Sequence, residues 1–254
     1  MTDQVTKART FKALHVPGRP IILFNVWDAG SAKAVAAGGA KALATGSWSV
    51  AAAHGFDDGE YMPFDLAIAN LERIVAATDL PVTIDLESGY GASPDGVGAN
   101  IARAVQAGAI GYNIEDSVRE SGPLREISDQ AARLKSARQA ADRLGIPAFL
   151  NARTDVFLVA AADQHGSLVA SALERGRAYA EAGADGLFVP GLADEALIAR
   201  VAEGSSLPVN IMASAKTPPA ARLAELGVAR ISHGPGPYRM AMKALEDAAR
   251  AALI

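Results

Sequence analysis

Two carboxylates stand two residues apart at the end of a short apolar run. Asp85 and Glu87 follow residues 81–84 and lead into residues 88–91, whose two glycines are typical of a loop. Because side chains alternate along a strand, both carboxylates are expected on the same side. Like charges held this close repel unless a cation lies between them, and hard oxygen ligands suit Mg²⁺ or Mn²⁺. The pattern predicts a metal site; the alternative is two solvated acids where a strand ends.

A second apolar run, residues 111–114, also ends in a pair of acids, which begins with Glu115. If the two runs are neighbouring parallel strands, their carboxyl ends open onto the same face and the acids converge. Mg²⁺ keeps several waters and takes one or two carboxylates, while further acids hold those waters. We therefore predict Asp85 as the direct ligand of Mg²⁺, or of Mn²⁺, with the waters held by Glu87, Glu115 and Asp58.

The other strand ends supply groups suited to an anionic substrate. Arg153 would clamp a carboxylate through its planar guanidinium, although an ion pair with Asp155 is the alternative. Asn210 would contact the substrate or, equally, cap the backbone. Backbone amides come from a turn of small residues that consists of Thr45, Gly46 and Ser47.

A repeat indicates the elements that position these groups. Four apolar runs follow a proline at nearly regular intervals, at Pro20, Pro81, Pro147 and Pro208. Four more runs follow a glycine, the residue expected to end a helix in the left-handed conformation, at Gly39, Gly108, Gly183 and Gly227. Alanine-rich segments between the runs, such as residues 63–78, 129–144 and 168–182, favour helix. The repeat predicts eight parallel strands and eight helices in a TIM-type (β/α)₈ barrel.

An open doubly wound sheet is the rival architecture. It would usually carry a glycine-rich dinucleotide turn after its first strand, and residues 25–30 do not match that turn. We expect one barrel domain over residues 1–254. Two long loops, residues 48–62 and 117–128, are predicted on the face that binds the substrate.

Composition removes several classes of function. No run of 18 apolar residues is present, so a membrane span is not expected, and the acidic start is unlike a secretory signal. The absence of cysteine excludes disulfides, thiolate metal sites and a cysteine nucleophile. A net charge of −4 without a basic run gives no footprint for nucleic acid. These features predict a cytoplasmic protein with a small-molecule substrate.

Taken together, the motifs resemble the isocitrate lyase/phosphoenolpyruvate mutase superfamily. The similarity runs through nearly the whole chain and is carried by residues 25–32, 45–47, 58, 85–91, 114–116, 152–155 and 210. It implies a Mg²⁺-dependent barrel that acts on 2-oxo or 2-hydroxy carboxylates through an enolpyruvate-type intermediate. It also implies that metal and substrate meet beneath Trp27 and Tyr90, with Arg153 on the carboxylate and the Gly46 and Ser47 amides on the 2-oxygen.

The resemblance further implies assembly, because the family commonly exchanges its last helices between subunits. The apolar tail over residues 248–254 is compatible with such an exchange of the C-terminal helix. We therefore expect a homodimer or a homotetramer.

This chain departs from the family in the lid. The lyases carry a Lys-Lys-Cys-Gly-His lid with a catalytic cysteine, whereas residues 120–125 read Glu-Ser-Gly-Pro-Leu-Arg. The mutases carry lysine and asparagine there, after Glu-Asp-Lys, and this chain lacks that pattern too. The glutamate expected after the sixth strand is replaced by Pro190 and Gly191. A substitute acid or base is therefore needed, and His54, Tyr90 and Arg119 are the candidates.

Isocitrate lyase, methylisocitrate lyase and phosphoenolpyruvate mutase are accordingly poor specific assignments. Decarboxylation of a 2-oxo diacid such as oxaloacetate fits better, because CO₂ departs without a proton donor. Retro-aldol or retro-Claisen cleavage of a branched acid, as in a methylisocitrate lyase-like activity, is a second interpretation. A phosphonomutase or hydrolase of the mutase type is a third. Two rivals of other classes stay open: a metal-independent phosphate-binding barrel that uses residues 233–236, and an inactive binding protein.

Overall fold

The computed structural model describes residues 2–118 and 123–253, and eight parallel strands form its sheet. The strands are β1 (Ile21–Leu23), β2 (Leu43–Ala44), β3 (Val82–Asp85), β4 (Gly111–Glu115), β5 (Phe149–Arg153), β6 (Gly186–Phe188), β7 (Val209–Met212) and β8 (Arg230–Ser232). Their order is β1-β8-β7-β6-β5-β4-β3-β2, and a bridge between Val26 and Thr45 joins the two ends of the sheet. The predicted TIM-type (β/α)₈ fold is confirmed.

Helices surround the sheet. They are α1 (Thr2–Ala13), α2 (Ala29–Ala37), α3 (Ser47–Ala53), α4 (Phe64–Ala76), α5 (Pro94–Gln106), α6 (Ile127–Arg143), α7 (His165–Glu181), α8 (Glu195–Gly204), α9 (Ala220–Glu225) and α10 (Gly236–Ala252). The repeat predicted eight, and α1 and α3 are the two additional ones. The prediction of a loop over residues 48–62 was wrong at its start, because α3 occupies it. None of the described helices is long and apolar enough to cross a membrane.

The glycines that introduce four of the strands adopt the predicted conformation. Gly39, Gly108, Gly183 and Gly227 have φ angles of 92°, 105°, 100° and 85°. An L-residue with a side chain rarely adopts this left-handed region, so glycine ends each helix at low cost. The local sequence thus fixes where each of these helices turns into the next strand.

Helix α1 closes the lower end of the barrel. Phe11 is fully buried, and its ring meets the ring of Phe149 edge-on at 5.6 Å. The side-chain amide of Gln4 donates to the carbonyl oxygens of Val105 (2.7 Å) and Ala109 (3.0 Å). Helix α1 therefore covers this end, whereas a cavity opens at the carboxyl ends of the strands.

Helix α10 leaves a large part of its apolar surface exposed. Met240 and Leu245 are 64% and 62% exposed. On the outer face of the sheet, Ile22 of β1 is 48% exposed in a groove of about 670 Å³ that also contacts α2. A helix that follows the eighth strand of a barrel normally belongs to the ring of helices outside the strands. The chain thus shows an uncovered groove and an uncovered helix.

Candidate active site at the mouth of the barrel

A cavity of about 250 Å³ lies at the carboxyl ends of the strands. Its polar lining residues are Asn25, Ser47, Asp58, Asp85, Asn113, Arg153 and Ser232. Its apolar lining residues are Trp48, Leu158, Phe188, Met212 and Pro235. A concave site with a few converging polar groups and an apolar wall is the usual form of a small-molecule site.

Asp85 is the carboxylate that the cavity positions best. Its Oδ2 accepts hydrogen bonds from the Ser47 amide (3.2 Å) and hydroxyl (3.0 Å), and its own amide donates to Thr45 Oγ1 at 3.0 Å. Its Oδ1 is buried and has no hydrogen-bond partner. A buried carboxylate oxygen without a partner is costly unless a cation or a ligand occupies it.

Arg153 lies in the same cavity between two acids. Its Nη1 is 2.7 Å from Glu115 Oε2, and its Nε and Nη2 donate to the two oxygens of Asp155 at 2.5 and 3.0 Å. The alternative ion pair with Asp155 is therefore present. Three of the five N–H donors of an arginine are used in this way, which leaves two for a ligand. Arg153 is pre-oriented and can still bind an anion.

The ion pair changes the pKa values of its members. Burial acts to lower the pKa of Arg153, but Glu115 and Asp155 outweigh it and hold the pKa above its usual value. Burial raises the pKa of Glu115 well above its usual value, although Arg153 opposes the shift. Glu115 is not among the residues that line the cavity, and its carboxylate contacts Arg153.

Glu87 binds a loop in this structure. Its Oε2 accepts from the amides of Gly59 (2.7 Å) and Glu60 (2.6 Å), and its Oε1 accepts from the Tyr90 hydroxyl at 2.9 Å. Burial, and then the charge of Asp58, raise the pKa of Glu87 to about 7. Desolvation by the surrounding protein, and then the charge of Asp85, raise the pKa of Asp58 as well. Both effects are weakened because Asp58 is in contact with solvent.

The four predicted metal-binding carboxylates do not form a shared cage. Within residues 2–118 and 123–253, no three acidic or histidine side chains are close enough to hold a metal by themselves. Asp85 alone among the four combines a place in the cavity with a buried oxygen that lacks a partner. One carboxylate fits the donor preference of Mg²⁺, which keeps several waters. Asp58 lines the cavity too, whereas Glu87 and Glu115 do not.

The small turn after β2 serves Asp85 directly. Gly46 and Ser47 line the cavity, while Thr45 lies behind it and accepts from the Asp85 amide. The Ser47 amide donates to Asp85 and the Gly46 amide donates to Val26 at 3.3 Å, so both predicted amides already have partners.

Asn210 is almost fully buried, and its Oδ1 accepts from the Ser232 hydroxyl at 3.1 Å. Its side-chain nitrogen has no hydrogen-bond partner. This contact is neither of the two roles considered from the sequence.

Three further predicted residues, Trp27, Tyr90 and His54, also lie outside the lining of the cavity. The Trp27 ring packs edge-on against the Tyr238 ring at 5.1 Å. Trp48 lines the cavity, where we expected Trp27. The Tyr90 hydroxyl donates to Glu87, and burial followed by Glu87 raises the Tyr90 pKa. His54 is exposed, with Nδ1 2.9 Å from the Val50 carbonyl oxygen. Arg119 and residues 120–122 of the predicted lid lie outside the described residues.

Asn25 also lines the cavity and was not among the predicted site residues. Its Oδ1 accepts from the amides of His233 and Gly234, both at 2.9 Å, and its side-chain nitrogen donates to the Thr45 carbonyl oxygen at 2.9 Å. The amides that a phosphate group would need after β8 are therefore occupied. This arrangement counts against the phosphate-binding rival. The signals in the sequence were the position of Asn25 just after β1 and its place in the motif of residues 25–32.

Arg230 lies beneath the cavity and was also missed. It is 1% exposed, and its Nη2 and Nε donate weakly to Asn113 Oδ1 (3.3 Å) and Ser232 Oγ (3.4 Å), two residues that line the cavity. Burial lowers its pKa to about 9, although Asp85 opposes the shift. Its Nη1 has no partner, and among the described residues no carboxylate forms an ion pair with it. The sequence could have indicated this position of Arg230, because it lies in β8 two residues before Ser232 and alternate residues of a strand point to the same side.

A family model described as phosphoenolpyruvate phosphomutase matches residues 11–253. The chain belongs to the isocitrate lyase/phosphoenolpyruvate mutase superfamily. The superfamily consists of enzymes, both lyases and mutases, and the resemblance inferred from the motifs is confirmed.

The chain is similar to several proteins whose descriptions differ from one another. An uncharacterized protein of Mycobacterium tuberculosis is 35% identical over 242 residues, which are 95% of this chain and 88% of the relative. A crystal structure from Burkholderia cenocepacia J2315, provisionally described as a phosphonomutase, is 58% identical with a TM-score of 0.96, and the match covers 98% of this chain and 99% of that one. Oxaloacetate decarboxylase of Pseudomonas syringae is 30% identical over 190 residues, or 70% of this chain and 61% of the relative.

Proposed function

We propose that this protein is a Mg²⁺-dependent lyase that breaks a carbon–carbon bond next to a 2-oxo or 2-hydroxy carboxylate. Decarboxylation of a small 2-oxo diacid, as with oxaloacetate, is the preferred reaction. The observation that carries the proposal is the unpartnered Oδ1 of Asp85 in the same cavity as the pre-oriented guanidinium of Arg153. The similarity to an oxaloacetate decarboxylase supports it.

The groups that bind the substrate are held in place before it arrives. Arg153 keeps two N–H donors for the substrate carboxylate, and its acids fix the direction of that fork. Little reorganisation is then needed when the anion binds. The apolar lining residues Trp48, Leu158 and Phe188 lower the local dielectric, which strengthens the attraction between Arg153 and an anion.

The chemistry of decarboxylation suits a site without cysteine. As CO₂ leaves, the electron pair of the C3–C4 bond enters the C2–C3 bond and the 2-oxygen becomes negative. A proton from water then reaches C3 and gives pyruvate. When bound at Asp85, Mg²⁺ would supply the positive charge that favours an oxyanion at the 2-position. Ser47 holds the Asp85 carboxylate in position for this role.

The size of the cavity favours a small acid. Its volume of about 250 Å³ lies below the roughly 300–1,000 Å³ that is common for pockets of drug-sized ligands. Among the described residues that line it, Arg153 is the one cationic side chain. A compact acid that presents one carboxylate to Arg153 is therefore the best match.

A phosphonomutase or phosphonate hydrolase is the second candidate, because the 58% identical relative carries that provisional description. A phosphonate group at neutral pH carries more charge than a carboxylate and usually meets several cationic groups. Arg153 is already shared between Glu115 and Asp155. The described part of the site thus suits a carboxylate better than a phosphonate.

The test is a panel of small acids assayed with Mg²⁺ and with a chelator. It contains oxaloacetate, branched 2-hydroxy diacids and phosphonopyruvate, and it is read for pyruvate, glyoxylate, phosphate and phosphoenolpyruvate. We expect Mg²⁺-dependent pyruvate release from a carboxylic acid. Turnover of phosphonopyruvate alone, to phosphate or to phosphoenolpyruvate, would establish the second candidate. Equal turnover in chelator would reject the metal-dependent proposal.

We also propose that the protein assembles as a homodimer or homotetramer, with α10 of one subunit in the groove beside β1 of another. The exposed side chains of Met240 and Leu245 and the exposed Ile22 support this assembly, since each would be covered. Light scattering of Leu245→Glu should show monomers, while Lys243→Glu, at an exposed polar position of the same helix, should keep the wild-type mass. A monomeric wild type at micromolar concentration would reject it.

A further inference from the structure

The loop that carries Asp58 is joined to the loop after β3 by two glutamates that act in opposite directions. Glu87 accepts from the amides of Gly59 and Glu60, at 2.7 and 2.6 Å. Glu60 Oε1 accepts in return from the Ser88 hydroxyl and the Tyr90 amide, both at 2.7 Å. We call this pair of carboxylates with their donors the Glu60–Glu87 clasp.

The clasp is anchored on one side by two helices. The side-chain amide of Asn100 in α5 donates to the carbonyl oxygens of Gly89 (3.1 Å) and Tyr90 (2.9 Å). Arg133 in α6 donates to the carbonyl oxygens of Gly91 (2.8 Å) and Ala92 (3.0 Å). The loop after β3 is therefore a fixed base, and the clasp ties the other loop to it.

The backbone of the clasp is unusual. Among the described residues, the non-glycine residues with a left-handed φ are Glu60 (62°), Glu87 (51°) and Tyr90 (54°). All three belong to the clasp. Residues keep such conformations only where surrounding interactions impose them. The geometry is thus held by the reciprocal hydrogen bonds, and the preferences of the local sequence do not produce it.

The Glu60–Glu87 clasp positions Asp58, the residue next to it in the chain. Asp58 lines the cavity together with Asp85 and directly precedes Gly59, whose amide Glu87 holds. Glu60 itself is not among the residues that line the cavity. We infer that Glu60 is a positioning residue, which holds Asp58 at the cavity through the Glu60–Glu87 clasp. This inference rests on the proposed function, since it assigns Glu60 a part in building the metal site.

Three single variants form the first part of the test, and a double variant with Asp58→Ala forms the second. Glu60→Ala removes the acceptor from the Ser88 hydroxyl and the Tyr90 amide, whereas the side-chain oxygen of Glu60→Gln can still accept from both. Asp57→Ala is the matched control, because Asp57 is an exposed acid in the same loop. Two properties are measured: hydrogen exchange of the amides in residues 57–62, and the affinity for Mn²⁺ by electron paramagnetic resonance without substrate.

We expect faster exchange in Glu60→Ala and Mn²⁺ affinity weakened by about tenfold, the lower end for loss of an outer contact of a metal site. Glu60→Gln and Asp57→Ala should stay within about twofold of the wild type, on the same scale. If Glu60 acts through Asp58, adding Glu60→Ala to Asp58→Ala should weaken Mn²⁺ binding no further.

Contrary results are separable. Unchanged exchange in Glu60→Ala, or faster exchange with unchanged Mn²⁺ affinity, would overturn this inference while the proposed function stands. Fully additive losses in the double variant would also overturn it, since Glu60 would then act independently of Asp58. A wild type that bound no Mn²⁺ would overturn the proposed function and this inference together.

Discussion

Two arginines lie at different levels of the barrel and have opposite surroundings. Arg153 at the mouth lies between Glu115 and Asp155, and its pKa is raised. Arg230 beneath the floor contacts Asn113 and Ser232, and its pKa is lowered to about 9. Arg153 lines the cavity and Arg230 is almost fully buried, and only Arg153 has carboxylate partners among the described residues.

The difference shows how the barrel divides its charge. The mouth gathers more acids than bases, as a site for a cation and a carboxylate requires. The level below holds an unneutralised positive charge, which is costly in a protein interior unless an anion lies near. Asn113 connects the two levels, because it is the strand partner of Asp85 and accepts from Arg230. The charge of Asp85 opposes the lowering of the Arg230 pKa.

The largest effect should come from removing the carboxylate of Asp85. Asp85→Ala is expected to lower turnover by about 10³-fold or more, because the contribution of a catalytic metal is several kcal/mol. The free energy of unfolding should change by only about 1 kcal/mol, since relief of repulsion among the acids offsets the lost hydrogen bonds. Steady-state kinetics and urea denaturation measure the two. Wild-type turnover of the variant in Mg²⁺ would refute the metal assignment.

Arg153→Met should affect both activity and stability. We expect kcat/KM to fall by about 10²-fold, with KM raised and kcat lowered, because one contact orients ground state and transition state. The free energy of unfolding should fall by about 3–5 kcal/mol, since Glu115 and Asp155 lose their buried partner. The measurement is urea denaturation at pH 8. A loss of stability no larger than that of Arg230→Met would remove the contrast between the two arginines.

The surplus of acids at the mouth predicts a pH dependence in chelator. The folded-state pKa of Glu87 is about 7, above its usual 4.5, so the folded protein binds this proton more tightly than the unfolded chain. That stabilisation is fully present below pH 4.5 and is lost as the pH rises through 7. The free energy of unfolding should thus fall by up to about 3 kcal/mol across this window. Glu87→Gln should flatten the profile, whereas Glu203→Gln at an exposed position should not.

The smallest effect is expected at Arg230. Arg230→Met should change the free energy of unfolding by no more than about 1 kcal/mol, because the desolvated charge disappears with its weak hydrogen bonds. Asn113 Oδ1 keeps its bond from Asn151, and the Ser232 hydroxyl keeps its bond to Asn210. Parallel urea denaturation of both arginine variants gives the comparison. A loss of several kcal/mol here would show that Arg230 is neutralised after all.

The sequence by itself determined the barrel and the location of its site. Short segments of sequence determine the strands and the helix ends: apolar runs preceded by proline form strands, and glycines such as Gly108 end helices with a left-handed φ. Alternation along the strands and their parallel direction then placed Asp85 and Arg153 at one mouth. Both line the cavity. These features depend on neighbours within a few residues, which a linear reading contains.

Only the tertiary structure decided what each polar atom does. Glu87 looked like a metal-side acid, yet its Oε2 accepts from the amides of Gly59 and Glu60, which are 28 and 27 positions earlier in the chain. Trp48 lines the cavity where Trp27 was expected. Arg230 reaches Asn113, 117 positions earlier in the chain. Such pairings depend on the register of distant strands and on where the loops cross the mouth of the barrel. The conformational preferences of neighbouring residues determine neither of these.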